Sequence, residues 1–164
     1  VGLAVILGID ALLGMSDFRA REKTLALVKQ IAGRSGRKGY GEVLIQTKNS
    51  DFFKTYLDNF EGFLEDELKY RKGLYPPFKK MLRLMVSHKN EVKAKEGIEK
   101  VAHIAQSFKA VEVVGFGKSM IGKIAGKYRY ELLARSDSSK ALLELAHSVK
   151  PYHVEVDIDP LSFS

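Results

Sequence analysis

The segment Leu82-Arg83-Leu84-Met85-Val86-Ser87 decides the fold of the second half of the chain. Leu82, Leu84 and Val86 occupy alternate positions, and this period of two residues is typical of a strand with one buried face. The pattern that follows predicts a helix, two strands, a second helix and a last strand. The order β-α-β-β-α-β predicts a ferredoxin-like α+β domain, in which both helices cover one face of an antiparallel sheet and leave the other face open.

The spacing of apolar residues places the remaining elements of this half. Helical spacing predicts one helix over 98–108 and, after a cap at Ser138-Ser139, a second helix that ends near Val149. The stretch between the second and third strands is rich in glycine and lysine, and we expect it to be a basic loop. The further strands are predicted at 111–114, 128–135 and 154–158.

The first half of the chain predicts a different α/β arrangement, with a parallel sheet. Residues 2–7 form a continuous apolar run, which is expected for a parallel strand buried on both faces. A helix from about Arg19 to Ala32, with Gly33 as its stop, leads to a second strand over 42–47.

A further helix is predicted over 51–70, where apolar residues three or four positions apart form one face. The helical pattern ends at Tyr75-Pro76-Pro77-Phe78, because consecutive prolines cannot continue a helix and hold the chain extended. We place the domain boundary at this point. The sequence is therefore predicted to contain one domain over 1–75 and another over 76–164.

The composition indicates a folded, basic protein. Hydrophobic residues make up 45% of the 164 residues, which is enough for a packed core, and the formal net charge is +7. Such a charge favours polyanionic partners such as nucleic acid or acidic membrane surfaces. No apolar run is long enough to span a bilayer, and we expect no membrane partner. The sequence has no Cys, which excludes disulfides and cysteine zinc sites and fits a reducing cytoplasm.

The stretch Gln30-Ile31-Ala32-Gly33-Arg34-Ser35-Gly36-Arg37 has the form Q-x-x-G-R-x-G-R at the end of a predicted helix. Its two arginines can point into one cleft, where the planar guanidinium group suits phosphate oxygens. Glycine allows the backbone to turn tightly and to approach a ligand closely. The alternative is a solvated basic helix end, where cations are common because they face the negative end of the helix dipole.

This stretch resembles motif VI of superfamily 2 helicases, which lies on the second RecA-like lobe and faces ATP bound on the first lobe. The resemblance implies that Arg34 and Arg37 are catalytic residues that contact the γ-phosphate, one of them as an arginine finger. It also implies that Gln30 positions the nucleotide and that Gly33 and Gly36 belong to the nucleotide-binding surface.

Further stretches on both sides of this motif carry a wider resemblance. They are Asp17-Phe18-Arg19-Ala20-Arg21-Glu22, Gly41-Glu42-Val43-Leu44-Ile45-Gln46-Thr47, Phe63-Leu64-Glu65-Asp66-Glu67-Leu68, Arg71, Tyr75-Pro76-Pro77-Phe78, Tyr128-Arg129-Tyr130 and Asp157-Ile158-Asp159-Pro160. In this order the whole chain resembles the C-terminal part of bacterial primosomal replication-restart DNA helicases, the PriA or primosomal protein N′ family. The resemblance implies that residues 1–75 complete the second RecA-like lobe and that residues 76–164 form the family's C-terminal DNA-binding domain.

The family resemblance also implies an activity, cofactors and partners. Such a protein is a bacterial, cytoplasmic and nucleoid-associated 3′→5′ DNA helicase that uses ATP and Mg²⁺ and holds zinc on cysteines. It binds forked and single-stranded DNA at stalled or abandoned replication forks, and it restarts primosome assembly with single-stranded-DNA-binding protein and other primosome proteins. The chain has no Walker A sequence, no Asp-Glu box and no cysteine. We therefore expect those parts upstream in a longer protein, and we expect this chain alone to lack ATPase activity.

The stretch between Val113 and Tyr130 contains no acidic residue. We predict that its cations contact the DNA backbone, because lysines on a glycine-rich loop can reach phosphates. The alternative is a solvated loop. Tyr128 and Tyr130 share one strand face with Leu132, so we predict that both rings pack in the core. The predicted nucleic-acid contacts are Lys118, Lys123, Lys127 and Arg129.

Three other patterns in the sequence carry weaker signals. The cations from Lys69 to Arg83 form a second acid-free stretch and are a rival candidate for DNA contact. Asp157 and Asp159 point the same way from one strand, and we predict that they are solvated or ion-paired rather than catalytic. The histidines show no metal-ligand spacing, and no metal site is predicted in this chain.

A second function class stays open at this point. The chain could act purely as a nucleic-acid-binding and protein-docking module on a ferredoxin-like sheet, although it lacks the aromatic strands of RNA-reading sheets. A Walker A lysine and an Asp-Glu box in an upstream sequence would favour the helicase.

Overall fold

A computed structural model describes residues 2–35 and 41–161. The chain is mixed α/β, and it divides into two compact units, the first ending at Tyr70 and the second beginning at Arg71. The division lies five residues before the predicted boundary at 75/76. Each unit is described by itself below.

Unit 1 contains a parallel pair of strands with four helices. The strands pair in register, with Leu3 opposite Glu42 and Ile6 opposite Ile45. The elements are β1 (Leu3–Ile6), α1 (Asp10–Leu13), α2 (Ala20–Ser35), β2 (Glu42–Ile45), α3 (Ser50–Tyr56) and α4 (Phe60–Arg71).

The core of unit 1 lies between this pair of strands and the helices. Leu25 and Val28 on α2 are fully buried, and they pack with Ile6 of β1 and with two aromatic rings, Phe53 and Phe63. Burial of such side chains is the main favourable contribution to folding.

In this chain the first strand is buried on one face only, which differs from the predicted burial on both faces. Ile6 is buried, but Leu3 and Val5 are 48% and 56% exposed, and Leu44 on β2 is 56% exposed. Alternate side chains of a strand point to opposite faces, so β1 and β2 pack one face on α2 and present an apolar face that the described residues leave open.

Two helix boundaries differ from the predictions. The helix α2 continues through Gly33 to Ser35, so Gly33 is not its stop. The helix predicted over 51–70 is two helices, because the helical conformation is interrupted before Phe60. The Asn59 side chain accepts a 3.0 Å hydrogen bond from the backbone N–H of Gly62, which caps α4 and ends the continuous pattern.

The chain also turns where it was predicted to be extended. The Pro76–Pro77 peptide is cis, and the backbone N–H of Phe78 donates to the carbonyl of Tyr75 at 3.1 Å. The segment is a turn at the start of unit 2, and the helix α4 ends before it, as the prolines predict.

Unit 2 contains a four-stranded antiparallel sheet with strand order β4-β5-β3-β6. Its elements occur along the chain in the predicted order β-α-β-β-α-β. They are β3 (Lys80–His88), α5 (Glu91–Gln106), β4 (Glu112–Ile124), β5 (Lys127–Ser136), α6 (Ser139–Ser148) and β6 (Glu155–Ile158), with a short 3₁₀ helix at Lys150–Tyr152 between the last two.

The core of unit 2 lies between the sheet and the helices α5 and α6. Leu82 and Leu84 on β3 and Leu132 on β5 are fully buried, and they pack against Ile98 on α5 and Leu145 on α6. Asn90 and Ser138 cap the two helices, with side-chain oxygens that accept from the backbone N–H groups of the first turn. The apolar alternation of β3 therefore identifies the buried face correctly.

The prediction of a glycine-rich basic loop is wrong, because this stretch is the long β4–β5 hairpin. Ile124 pairs with Lys127, and the connection between them is Ala125-Gly126. Both connecting residues have positive φ, 49° and 77°, as a two-residue hairpin turn that follows strand twist requires. Glycine is depleted in strands, so the sequence looks like a loop, but β5 pairs with this stretch on both sides of an interruption at 119–122.

Candidate nucleic-acid interface

The motif Q-x-x-G-R-x-G-R lies partly on α2. Gln30, Gly33 and Arg34 are exposed and occupy neighbouring positions on one face of the helix, because residues three and four apart face the same way. Gly36 and Arg37 lie outside the described residues. The described members of the motif are thus together on a solvent-facing surface that could receive an anionic ligand.

The opposite side of α2 is anchored by Arg21. Its guanidinium group lies 5.1 Å from the ring centre of Phe52 and 5.9 Å from that of Phe63, and it is 2.9 Å from a carboxylate oxygen of Glu67. The Glu67 side chain is only 3% exposed, whereas the Arg21 side chain is 39% exposed, so the carboxylate is shielded from water and the guanidinium group is not. Because these contacts join α2 to α3 and α4, they fix which face of α2 is presented to solvent.

A second polar cluster joins the ends of β1 and β2. Asp10 accepts hydrogen bonds from the Thr47 hydroxyl at 2.5 Å, the Lys48 backbone N–H at 2.8 Å and the Asn49 amide at 3.0 Å. These donors, the Thr47 hydroxyl first, hold the pKa of Asp10 below its usual range. Every carboxylate bond described here serves the connection of the two strands, so the cluster is structural.

The β4–β5 hairpin carries the cations that were predicted to contact DNA, but it divides them between two faces. In the strand register Lys118 lies opposite Tyr130, which packs on the core beside α5. Lys123 lies opposite Tyr128, further along β5 and on the same face of the sheet. Lys127 and Arg129 occupy the alternate positions of β5 and lie on the opposite face. The structure therefore does not bring the predicted residues into one loop.

Lys118 has an acidic partner that the sequence does not reveal. Its ammonium group lies 2.7 Å from a carboxylate oxygen of Glu91, in the first turn of α5, and the Tyr130 hydroxyl donates to the same oxygen at 3.3 Å. The bond to Lys118 lowers the pKa of Glu91, and the bond to Glu91 raises the pKa of Lys118. The charge of Lys118 is thus partly compensated.

Lys123 lies above an aromatic ring. Its ammonium group is 4.4 Å from the ring centre of Tyr128 and 3.3 Å from the Tyr128 hydroxyl. Tyr130 packs against the core as predicted, but Tyr128 is half-buried under Lys123 and is not part of the core cluster. The prediction for Tyr128 is wrong because the hairpin continues beyond the helix layer, where the ring contacts lysine instead of core side chains.

The other two predicted contacts differ in exposure. Lys127 is exposed, whereas Arg129 is half-buried and its Nε–H donates to the sulfur of Met85 at 3.0 Å. Within the described residues, neither Lys123 nor Lys127 lies within ion-pair distance of a carboxylate, although the charge of Lys123 contributes to the lowered pKa of Glu91.

Four cations of the rival patch from Lys69 to Arg83 form ion pairs with acids outside the patch, one of them close in the sequence and three far away. Its ion pairs link Lys69 to Asp66 at 3.0 Å, Lys79 to Asp137 at 2.5 Å, Lys80 to Asp159 at 3.8 Å and Arg83 to Asp157 at 3.0 Å. The interpretation of Asp157 and Asp159 as ion-paired is confirmed. The hairpin is therefore the better candidate for phosphate contact, because paired cations must first lose their partners.

Two further lysines belong near the hairpin. His88 pairs with Tyr128, so the turn from β3 into α5 lies beside the hairpin and brings Lys89 and Lys93 to this end of unit 2. Both are exposed. Sequence reasoning missed Lys93; the signal was Asn90, whose role as a cap places Lys93 in the first turn of α5.

Among the described residues, no helix is long and apolar enough to cross a membrane. Residues 2–35 and 41–161 contain no group of three or more His, Asp and Glu side chains arranged to hold a metal ion.

Comparison with known proteins identifies relatives along the whole chain. The family described as primosomal protein N C-terminal domain matches residues 71–161, more than half of the chain and almost all of unit 2. The replication restart protein PriA of Helicobacter pylori is 39% identical over 98% of this chain, and those of Borreliella burgdorferi and Bacillus subtilis are each 32% identical over 96% and 97%. The chain spans about a quarter of the length of these relatives, at 27%, 26% and 22%.

We predict that Thr47→Val raises the pKa of Asp10, because it removes the largest of the interactions that favour the carboxylate. Titration of the side-chain carboxyl ¹³C shift measures this pKa directly. A carboxyl whose pKa is lower in the folded state stabilises the fold above its unfolded pKa of about 3.9 and loses that contribution as the pH falls through the folded pKa. The stability difference between parent and variant should therefore be present above about pH 4 and shrink below it.

Asp66 is the internal control for this titration. Its pKa is lowered chiefly by Lys69 and then by Tyr56, and neither contact involves Thr47. An Asp10 pKa that stays unchanged in the variant would contradict the described cluster.

Proposed function

The chain belongs to the PriA family of replication-restart proteins, and from this premise we propose that it is the C-terminal portion of an ATP-dependent 3′→5′ DNA helicase that restarts primosome assembly at stalled or abandoned forks. The observation that carries the DNA-binding part of the proposal is the β4–β5 hairpin, where Lys123 and Lys127 are exposed cations on opposite faces and neither forms an ion pair in the described residues. Helicase activity belongs, on this proposal, to the full-length protein, which is about four times longer.

We assign the two units to two parts of such a helicase. Unit 2 is a ferredoxin-like DNA-binding domain, a proposal supported by its β-α-β-β-α-β order and its antiparallel sheet. Unit 1 is the end of the second RecA-like lobe. This is supported by the parallel pairing of β1 with β2 and by the apolar face that contains Leu3, Val5 and Leu44, which the remainder of a lobe would cover.

The motif on α2 forms one wall of the proposed nucleotide site. Arg34 and Arg37 contact the γ-phosphate and stabilise the charge that develops during hydrolysis, while Gln30, Gly33 and Gly36 line the approach. The exposed cluster of Gln30, Gly33 and Arg34 supports this assignment, since it fits an anionic ligand. ATP and Mg²⁺ are held mainly by other parts of the full-length protein, so the chain alone hydrolyses no ATP. Zinc is assigned to those parts too, because this chain has no cysteine.

The hairpin contacts the sugar–phosphate backbone rather than the base edges. Lysine ammonium groups attract phosphates without regard to sequence, as recognition of a fork structure requires. Its partners in the cell are forked and single-stranded DNA, single-stranded-DNA-binding protein and other primosome proteins, in the bacterial cytoplasm at the nucleoid.

A second candidate function is a non-catalytic module for nucleic-acid binding and protein docking. It is favoured by the separate core of unit 2, whose buried residues come from its own strands and helices. Both candidates require the hairpin to bind DNA, and only the helicase requires Arg34 and Arg37.

We predict that replacing Lys118, Lys123 and Lys127 together with Glu weakens binding of the chain to forked DNA. Because Lys118 is held by Glu91 in the parent, the variant loses the phosphate contacts of Lys123 and Lys127, and the slope of log affinity against log salt should fall by roughly 2. Fluorescence anisotropy at several salt concentrations measures both quantities. The charge-matched control is the triple Glu variant of Lys100, Lys109 and Lys150, which are exposed and lie outside the hairpin.

The variant Glu91→Gln tests the same interface, and its expected effect on DNA affinity is opposite to that of the triple variant. It releases Lys118 from its ion pair, so fork binding should tighten and the salt slope should increase by about 1. Glu96→Gln, further along α5, should leave both unchanged. If the Lys triple variant keeps the parent affinity and slope, the hairpin does not contact phosphates.

We predict that Arg37→Ala in the full-length protein lowers ATP turnover by roughly 10³ and leaves ATP affinity and fork binding nearly unchanged, because an arginine finger acts mainly in the transition state. Steady-state ATPase assays with saturating DNA measure turnover. Arg37→Lys should not restore activity, because lysine lacks the planar fork. Near-normal turnover in folded Arg37→Ala protein would show that this arginine is only a surface cation.

A further inference from the structure

The β4 strand of the hairpin contains a bulge that carries two apolar side chains into solvent. Pairing is regular up to Lys118, which is opposite Tyr130, and resumes at Lys123, which is opposite Tyr128. The intervening segment 119–122 faces Arg129 alone, so the strand bulges there. Its central residues, Met120 and Ile121, are 54% and 53% exposed.

The bulge is held in place on both sides by polar contacts. Lys118 reaches past Gly122 to Glu91, and a side chain at 122 would meet it, since an added Cβ would lie 2.6 Å from the Lys118 Cε. The Ser119 hydroxyl donates to a carboxylate oxygen of Glu131 at 3.2 Å. Met120 and Ile121 therefore sit on an anchored projection, and neither belongs to the core of unit 2.

Cations flank this apolar projection on both faces of the hairpin. Lys123 lies on the face of α5 and Lys127 on the other, and neither has a carboxylate partner in the described residues. A single duplex would engage one face only. A branched nucleic acid has arms that can run along both faces, and the charge on both faces complements two phosphate backbones.

We propose that Met120 and Ile121 form an apolar wedge that packs on the exposed base pair at the branch point of forked DNA, while Lys123 and Lys127 hold the two arms. The inference rests on the proposed DNA-binding function, and it explains why the protein would bind forked DNA more tightly than plain duplex. At a branch point the last base pair has a stacked neighbour on one side only, so apolar side chains that pack on it can separate it from that neighbour at low cost, and their own desolvation stabilises the contact.

The wedge explains why apolar side chains are kept at an exposed strand edge. Such side chains favour unwanted association unless a partner covers them, and they contribute little to folding when half of their surface stays in water. Flanking lysines reduce self-association and at the same time select a polyanion as the partner.

The experiment places 2-aminopurine in a forked DNA either at the branch point or several base pairs inside the duplex, and adds the full-length protein without ATP, so that no unwinding occurs. We expect fluorescence to increase at the branch point only, because the wedge unstacks that pair. The variant Met120→Ser with Ile121→Ser should lose this increase, and its preference for fork over plain duplex should fall by about 5–10-fold. Its affinity for plain duplex should not change.

Leu143→Ser is the matched control, because Leu143 is 44% exposed on α6 and lies outside both the bulge and the β3–α5 turn. It should behave like the parent. Two results would overturn the wedge and leave the DNA-binding proposal intact. In the first, the parent protein binds forks but gives no increase in 2-aminopurine fluorescence at the branch point. In the second, the double variant keeps both the fluorescence increase and the preference for fork over duplex. If the parent does not bind forks at all, the proposed function fails instead.

Two other partners are outcomes of the same test. If the double variant loses binding to phosphatidylglycerol vesicles but keeps the fork preference, the projection binds a membrane surface and the proposal is overturned. If analytical ultracentrifugation shows dimers of the parent but not of the double variant, and the fork preference is unchanged, the projection serves self-association and the proposal is overturned.

Discussion

The antiparallel pairing of β3 with β5 is the interaction on which the rest of unit 2 depends. It runs from Lys80 opposite Ser136 to His88 opposite Tyr128, and it aligns the buried side chains of both strands on the face that α5 and α6 cover. A slip of one residue would turn these side chains to the other face. Because β5 is thereby held along its whole length, it provides the edge on which β4 pairs as far as the hairpin turn. The position of the basic hairpin thus follows from the pairing that forms the core.

Charge compensation decides which basic surface is available to a polyanion. The stretch from Lys69 to Arg83 has no acid in the sequence, yet carboxylates from 66, 137, 157 and 159 pair with its cations. The hairpin receives one such partner, Glu91, which pairs with Lys118, and it keeps an exposed lysine without an ion pair on each face in the described residues. The net charge of +7 is therefore less informative than its distribution.

The sequence predicts the parts that have a regular period. The order of elements in unit 2, its buried face and the cap of α6 at Ser138 follow from apolar spacing and side-chain chemistry. Three features were not predictable in this way. The β4–β5 hairpin looks like a loop because strand pairing outweighs the low strand preference of glycine. The Lys118–Glu91 pair joins positions far apart in the sequence, and the bulge at 119–122 depends on register rather than composition. The motif on α2 was identified by resemblance; the structure adds that Gln30, Gly33 and Arg34 share one exposed face.

The central claim is that this chain meets branched DNA through the β4–β5 hairpin. Hydrogen–deuterium exchange of the full-length protein, with and without a forked DNA, tests it most directly. The account predicts slower exchange over 116–129 and in the β3–α5 turn at 88–93, with no change over helix α6 (Ser139–Ser148). Protection confined to 69–83 or to α6, with none in the hairpin, would contradict the account.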